Sequence, residues 1–133
     1  MTLFLRIIVA CGFCLDAGVA LIALVVPQQL EPWLDIPYRN NPALAAFGGG
    51  EFAVMAVVYA LVFLQPQRRA FLFWILALDQ GFATVLPTLE VLRGHIPATI
   101  KTVGPIPFVA IWAIAYVWAA LRFGKRDDAV AVK

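Results

Sequence analysis

"PALAAFGGGEFAVMAVVYALVFL", residues 42–64, sets three consecutive glycines and a glutamate inside a run that is otherwise apolar. The run is close to the ~20 residues an α-helix needs to cross ~30 Å of hydrocarbon. It begins after "PYRNN" and stops before "QPQRR", both polar and rich in turn formers. The segment therefore reads as a membrane helix, with Glu51 carrying a carboxylate toward the middle of a bilayer. That reading stands only if the rest of the chain is built alike.

It is. Of 133 residues, 63% are hydrophobic and only 14% charged, and the mean hydropathy is +0.90. A water-soluble domain of this size needs a far more polar skin. Three further apolar segments fall at 3–26, 70–92 and 104–123, separated by polar connections. Lipid-facing backbone must satisfy its own hydrogen bonds, and no period-2 alternation suggests a barrel, so helices are expected. Pro87 is expected to kink the third span. Pro105 and Pro107 fall in the first turn of the fourth, where a missing N–H is tolerated. The expectation is an all-α, integral membrane, up-down four-helix bundle over residues 1–124, followed by a short soluble tail at 125–133. The N-terminal run lacks a basic leader and exceeds the length of a signal-peptide core, so it reads as a retained first span.

Four spans put both termini and the "QPQRR" connection on one side. Seven of the ten basic residues lie there: Arg6, Arg68, Arg69, Arg122, Lys125, Arg126 and Lys133. Arg39, Arg93 and Lys101 lie on the other, so the termini are expected in the cytoplasm and the protein in the inner membrane. Trp33 and Tyr38 read as interfacial anchors in a loop that caps the outer surface. A net charge of +2, dispersed along the chain, excludes a nucleic-acid partner.

Four acidic residues fall within or at the edge of spans: Asp16, Glu51, Asp79 and Glu90. At ~1.5 Å of rise per residue, the first three come within one or two turns of the bilayer midplane. A charge at that depth costs roughly 2.5–3.5 kcal/mol on insertion scales. With no Lys, Arg or His at their level, the three are expected to meet inside the bundle, at least one keeping its proton at neutral pH. They are the candidate catalytic residues.

Their neighbours extend the site. Gly12, Asp16 and Ala20 form a small-residue stripe at i, i+4 on the first span. Gly48, Glu51, Met55 and Tyr59 share a face of the second, where the glycine run is expected to let another helix approach closely. Gln80 follows Asp79 on the third. On the fourth, Phe108, Trp112 and Tyr116 recur at i, i+4, i+8 as an aromatic wall. Met55, Tyr59, Gln80, Phe108, Trp112 and Tyr116 are thus the candidate ligand-binding residues. Buried acids can also serve only to fix helix register through hydrogen bonds, and aromatic stripes only to pack.

Other motifs carry less. "CGFC" (Cys11, Cys14) has the C-x-x-C spacing of redox thiols but no helix N-terminus or cation to activate them. His95 is the only histidine, which excludes a bis-histidine haem and most metal sites built on imidazole and leaves open only a carboxylate site for Mg²⁺, Mn²⁺ or Na⁺, so no metal ligand is named. "GGGEF" lacks the lysine of a phosphate loop. Serine-nucleophile chemistry is excluded because the chain has no serine.

An arginine early in the first span ("FLRIIVACGF"), a small-rich span ending "VVPQQLEPWL", and a second opening "NPALAAFGGGEF" together resemble small bacterial four-helix membrane proteins of the DoxX-like group. That resemblance implies a four-helix fold and, for some members, an accessory role beside membrane oxidoreductases. It carries no functional residue over to this chain.

Three functions remain open. One is a carboxylate pocket that binds a lipophilic small molecule and performs cofactor-free acid–base chemistry on it, as an isomerase, cyclase or epoxide hydrolase would. Another is a non-catalytic accessory or assembly subunit of a larger membrane complex. The last is a proton-coupled carrier of hydrophobic cations, for which four spans require a homo-oligomer.

Overall fold

A computed structural model describes residues 1–29, 42–66 and 69–131, with side chains for 1–29, 46–66 and 69–124. Trp33, Tyr38 and Arg68 lie outside the described residues. Helix α1 spans Leu3–Val25, α2 Pro42–Leu64, α3 Leu72–Leu92, the single turn α4 Ile100–Val103 and α5 Ile106–Ala131. Four stretches are long and apolar enough to cross a membrane, so the fold is all-helical and of membrane-spanning type.

The helix boundaries have local causes. Thr2 caps α1 by accepting from the Leu5 N–H at 3.4 Å, which satisfies one donor of the open first turn. Proline opens α2, where its missing N–H leaves nothing unpaired. Residues 69–71 form a turn before α3, with the Leu72 N–H donating to the Arg69 carbonyl at 2.9 Å. The end of α3 is a Schellman motif. Gly94 takes φ 76°, while the His95 and Gly94 N–H groups donate to the Glu90 and Val91 carbonyls, each at 3.0 Å. Thr99 and Thr102 cap α4 reciprocally. Beyond the fourth span, where a separate tail is expected, α5 continues through Ala131.

Helix α3 is continuous through Pro87. The ring removes the N–H that would serve the Ala83 carbonyl. Nearby, Thr84 and Thr88 hydroxyls donate back to the Gln80 and Thr84 carbonyls at 2.8 and 2.7 Å. With these groups and Asp79, α3 is the least apolar of the four stretches, at hydropathy 1.4 against 2.4 for α1.

The principal contacts pair α1 with α2 and α3 with α5. Each pair is antiparallel: Gly12 faces Tyr59 and Gly49 faces Ala23, while Phe73, near the start of α3, stacks on Phe123 late in α5, 5.7 Å between centroids. A shared core joins the pairs at the end that holds the N-terminus. It draws Leu5 and Val9 from α1, Tyr59 and Val62 from α2, Phe73 and Leu76 from α3, and Tyr116 and Ala119 from α5. Beyond Gln80, α3 contributes no buried residue, and α2 meets α3 only sparsely.

The expected glycine contact divides. A side chain at Gly49 would meet Ala23 Cβ and Leu24 Cγ at 3.0 Å, whereas Gly48 and Gly50 have nothing within 4 Å. Successive residues of a helix point ~100° apart, so only one of three adjacent glycines can face α1. Large apolar side chains such as Leu21, Val57, Leu78 and Ile114 point outward, while Ala20, Ala56, Ala77 and Ala119 are buried. The buried alanines let neighbouring helices approach closely around the larger core side chains, as in helices that associate in lipid, where close packing rather than exclusion of water holds them together.

Candidate functional site

A cleft of about 300 Å³ opens between α2 and α3, with α1 behind it. Asp16 comes from α1; Glu51, Phe52 and Met55 from α2; Asp79, Gln80, Phe82, Ala83, Leu86 and Pro87 from α3. The sequence-derived acids are therefore brought to one cavity from three helices. Asp16 is buried at the back, Asp79 is half-buried, and Glu51 is exposed at the mouth beside Phe52 and Phe82. These mouth residues lie well inside their helices, so the opening faces sideways from the helix axes rather than along them.

Asp16 lies on the buried stripe with Gly12 and Ala20. Asp79 accepts a hydrogen bond from Gln80 Nε2 at 2.8 Å, which fixes the carboxylate from the adjacent position. Asp79 is in electrostatic reach of Asp16 on one side and Glu51 on the other. No Lys, Arg or His is among the lining residues. The described residues include no group of three His, Cys, Asp or Glu placed to hold a metal ion. Proton transfer and cation recognition are what this arrangement can do chemically.

Beneath the cleft lie Tyr59 and Tyr116, both fully buried. Their rings meet edge-on, 6.0 Å between centroids at 61°, a geometry favoured by the ring quadrupoles. No hydrogen bond within 3.5 Å reaches either hydroxyl among the described residues, and the two hydroxyls interact with each other. Both lie within electrostatic reach of Asp16 and Asp79.

The expected aromatic wall does not assemble around the acids. Phe108 and Trp112 line a separate hollow with Leu15, Gly104 and Pro105, and Tyr116 lies in the core. The cause is rotational. Positions four apart advance by ~400°, so an i, i+4, i+8 stripe drifts ~40° per step around its helix. Over two steps the stripe turns from the exposed Phe108 to the buried Tyr116, and none of the three residues lines the cleft.

Phe52, Phe82, Ala83, Leu86 and Pro87 are lining residues that the sequence reading missed. Their signal was present in helical spacing: Phe82, Ala83 and Leu86 follow Asp79 at i+3, i+4 and i+7. Cys11 and Cys14 are free and exposed, with Cys14 lining an apolar hollow beside Phe13 and Phe63. Glu90 forms a surface cluster with Arg93 and His95, at 3.0 and 2.8 Å, outside the cleft. The chain matches no family model, no curated protein and no solved structure.

Proposed function

We propose that this is a multi-pass protein of the bacterial inner membrane, an up-down bundle with both termini cytoplasmic. Its carboxylate cleft binds a lipophilic small molecule and performs acid–base chemistry on it: isomerisation, epoxide opening or cyclisation. A single observation carries the reading: three carboxylates from three helices line one apolar-walled cleft that opens sideways between α2 and α3. A guest dissolved in the bilayer reaches such a cleft without crossing water.

Asp16, the most enclosed of the three, is the proton donor to an alkene, epoxide or carbonyl. Asp79 already accepts from Gln80 and is the ionised partner that stabilises the developing cation or removes a proton. Pairing a donor with an acceptor across a substrate is the usual division of labour in general acid–base catalysis. Glu51 screens the mouth. No cofactor is required.

The test is incubation of the purified protein with a lipid extract of its host membrane, followed by mass spectrometry of bound and converted species. A retained lipophilic compound, lost from the Asp16→Asn variant, is the expected result. Absence of any retained compound from wild type and variant alike would defeat the reading.

One observation favours a second reading, the accessory subunit suggested by the DoxX-like resemblance. Gly50 borders an open hollow with Ala46, Phe47, Glu51, Val54 and Met55, and Ala46 and Gly50 have the small-xxx-small spacing that suits another helix. Co-purification with one protein at fixed stoichiometry would put that reading ahead.

A further inference from the structure

We propose that the end of the bundle holding the N-terminus carries a site for the phosphate of an anionic membrane lipid, built on Arg122 and Trp118 where α5 meets the start of α1. The site shares no lining residue with the carboxylate cleft and stands or falls apart from it.

A cavity of about 240 Å³ is lined by Met1, Thr2, Trp118, Arg122 and Phe123. Its floor belongs to the core. Phe123 is buried and stacks on Phe73, and Met1 packs against the same cluster. Its rim carries the exposed Arg122 and Thr2. The Thr2 hydroxyl accepts from the Leu5 N–H, which leaves its own proton free to donate. The cavity is a notch in packed structure with a positive charge at its edge and no acid in its lining.

Arg122 is held without being neutralised. Its guanidinium lies over the Trp118 ring, 5.0 Å from the centroid. The ring attracts the cation through its quadrupole yet leaves the N–H donors for a stronger acceptor. Among the described residues no carboxylate pairs with Arg122. A restrained guanidinium with open donors suits a phosphate, which accepts two parallel N–H groups at once.

The surrounding charge has the matching sign. By sequence, seven basic residues and only two acids, Asp127 and Asp128, belong to this end of the bundle. An excess of Lys and Arg beside a span attracts anionic headgroups.

Position selects a lipid over a dissolved ion. Trp118 and Arg122 fall in the last two turns of the apolar stretch Ile100–Gly124, and Thr2 stands just before the stretch Leu3–Val25. Both stretches thus reach headgroup level at the cavity, where tryptophan is favoured. Along α5, Ile111, Ile114, Trp118 and Arg122 recur at intervals of three, four and four, and all are exposed. An acyl chain hanging from a phosphate at Arg122 runs down that apolar strip.

The experiment uses the full-length protein in detergent, with bound lipid counted by native mass spectrometry. Phosphatidylglycerol is titrated against phosphatidylcholine of identical acyl chains, whose choline cation offsets its phosphate. Phosphatidylglycerol is expected to bind at least about tenfold more tightly, the scale of one charge-assisted hydrogen bond. Arg122→Gln, at an exposed position, should remove that preference. Trp118→Leu keeps the charge and should weaken phosphatidylglycerol about two- to fivefold. Arg69→Gln, at the same end but outside the cavity lining, should retain the preference. Inorganic phosphate at the concentration of the lipid should not displace it. Equal affinity for the two lipids overturns the site. Equal losses in Arg122→Gln and Arg69→Gln overturn it in favour of diffuse attraction. Displacement by equimolar inorganic phosphate overturns the lipid as the source of the phosphate.

Discussion

The ring of Tyr59 fills the notch that Gly12 leaves on α1, so closely that a methyl group at position 12 would overlap Cε1 and Cζ. Tyr59 cannot retreat, because the ring of Tyr116 stands edge-on behind it. Gly12→Ala is therefore expected to destabilise the protein by about 1–3 kcal/mol, the usual range for overpacking a filled interior. Gly18, on the same helix, has nothing within 4 Å of an added Cβ, and Gly18→Ala should leave thermal stability in detergent unchanged. Equal melting temperatures for the two variants would show that Tyr59 does not sit in the notch.

The glycine run supplies a sharper comparison because its members are adjacent. Gly49 alone meets α1, against Ala23 and Leu24. Gly49→Leu should lose about 1–3 kcal/mol of stability, whereas Gly50→Leu, pointing into open space, should be tolerated. The reverse ranking by thermal denaturation would place a different face of α2 against α1.

Neutral isosteres separate the chemistry of the acids from their structural role. Asp16→Asn, Glu51→Gln and Asp79→Asn should each leave the protein folded, since a neutral amide is less costly to bury than a charge. Asn at position 79 retains an oxygen to accept from Gln80. At least one of the three should lose retention or turnover of the lipophilic compound. Should all three bind and turn over as wild type does, the carboxylates fix helix register and nothing more.

Topology is open to a direct assay. A reporter active only in the periplasm should give no signal when fused after Lys133 and a strong one when inserted in the connection at 93–99. That connection carries the exposed Arg93, Gly94 and His95, so an insertion there disturbs little packing. A bright fusion at Lys133 would invert the orientation derived from the basic residues.

The sequence by itself determined that four helices are long and apolar enough to span a membrane, where they approximately begin and end, and that Asp16, Glu51 and Asp79 fall near the middle of theirs. These depend on one-dimensional quantities: the length of an apolar run against the thickness of hydrocarbon, and the rise per residue of a helix. The buried faces of α1 at Gly12, Asp16 and Ala20, and of α2 at Met55 and Tyr59, were likewise legible. A small or polar residue inside an apolar run has little reason to face lipid.

Only the tertiary structure decided which helices pair, and with it the shape of the cleft. Helix rotation depends on the packing of every neighbour, and a difference of ~100° per residue separates a contact from open space. Gly49 therefore packs while Gly48 and Gly50 do not. Phe108 and Trp112 lie at another hollow, and Phe82, Leu86 and Pro87 take the places at the acids that the aromatic wall was expected to fill. Depth in a membrane is written along the chain. Azimuth around a helix is settled only when the helices meet, because in lipid the choice between two apolar faces turns on fit rather than on hydrophobicity.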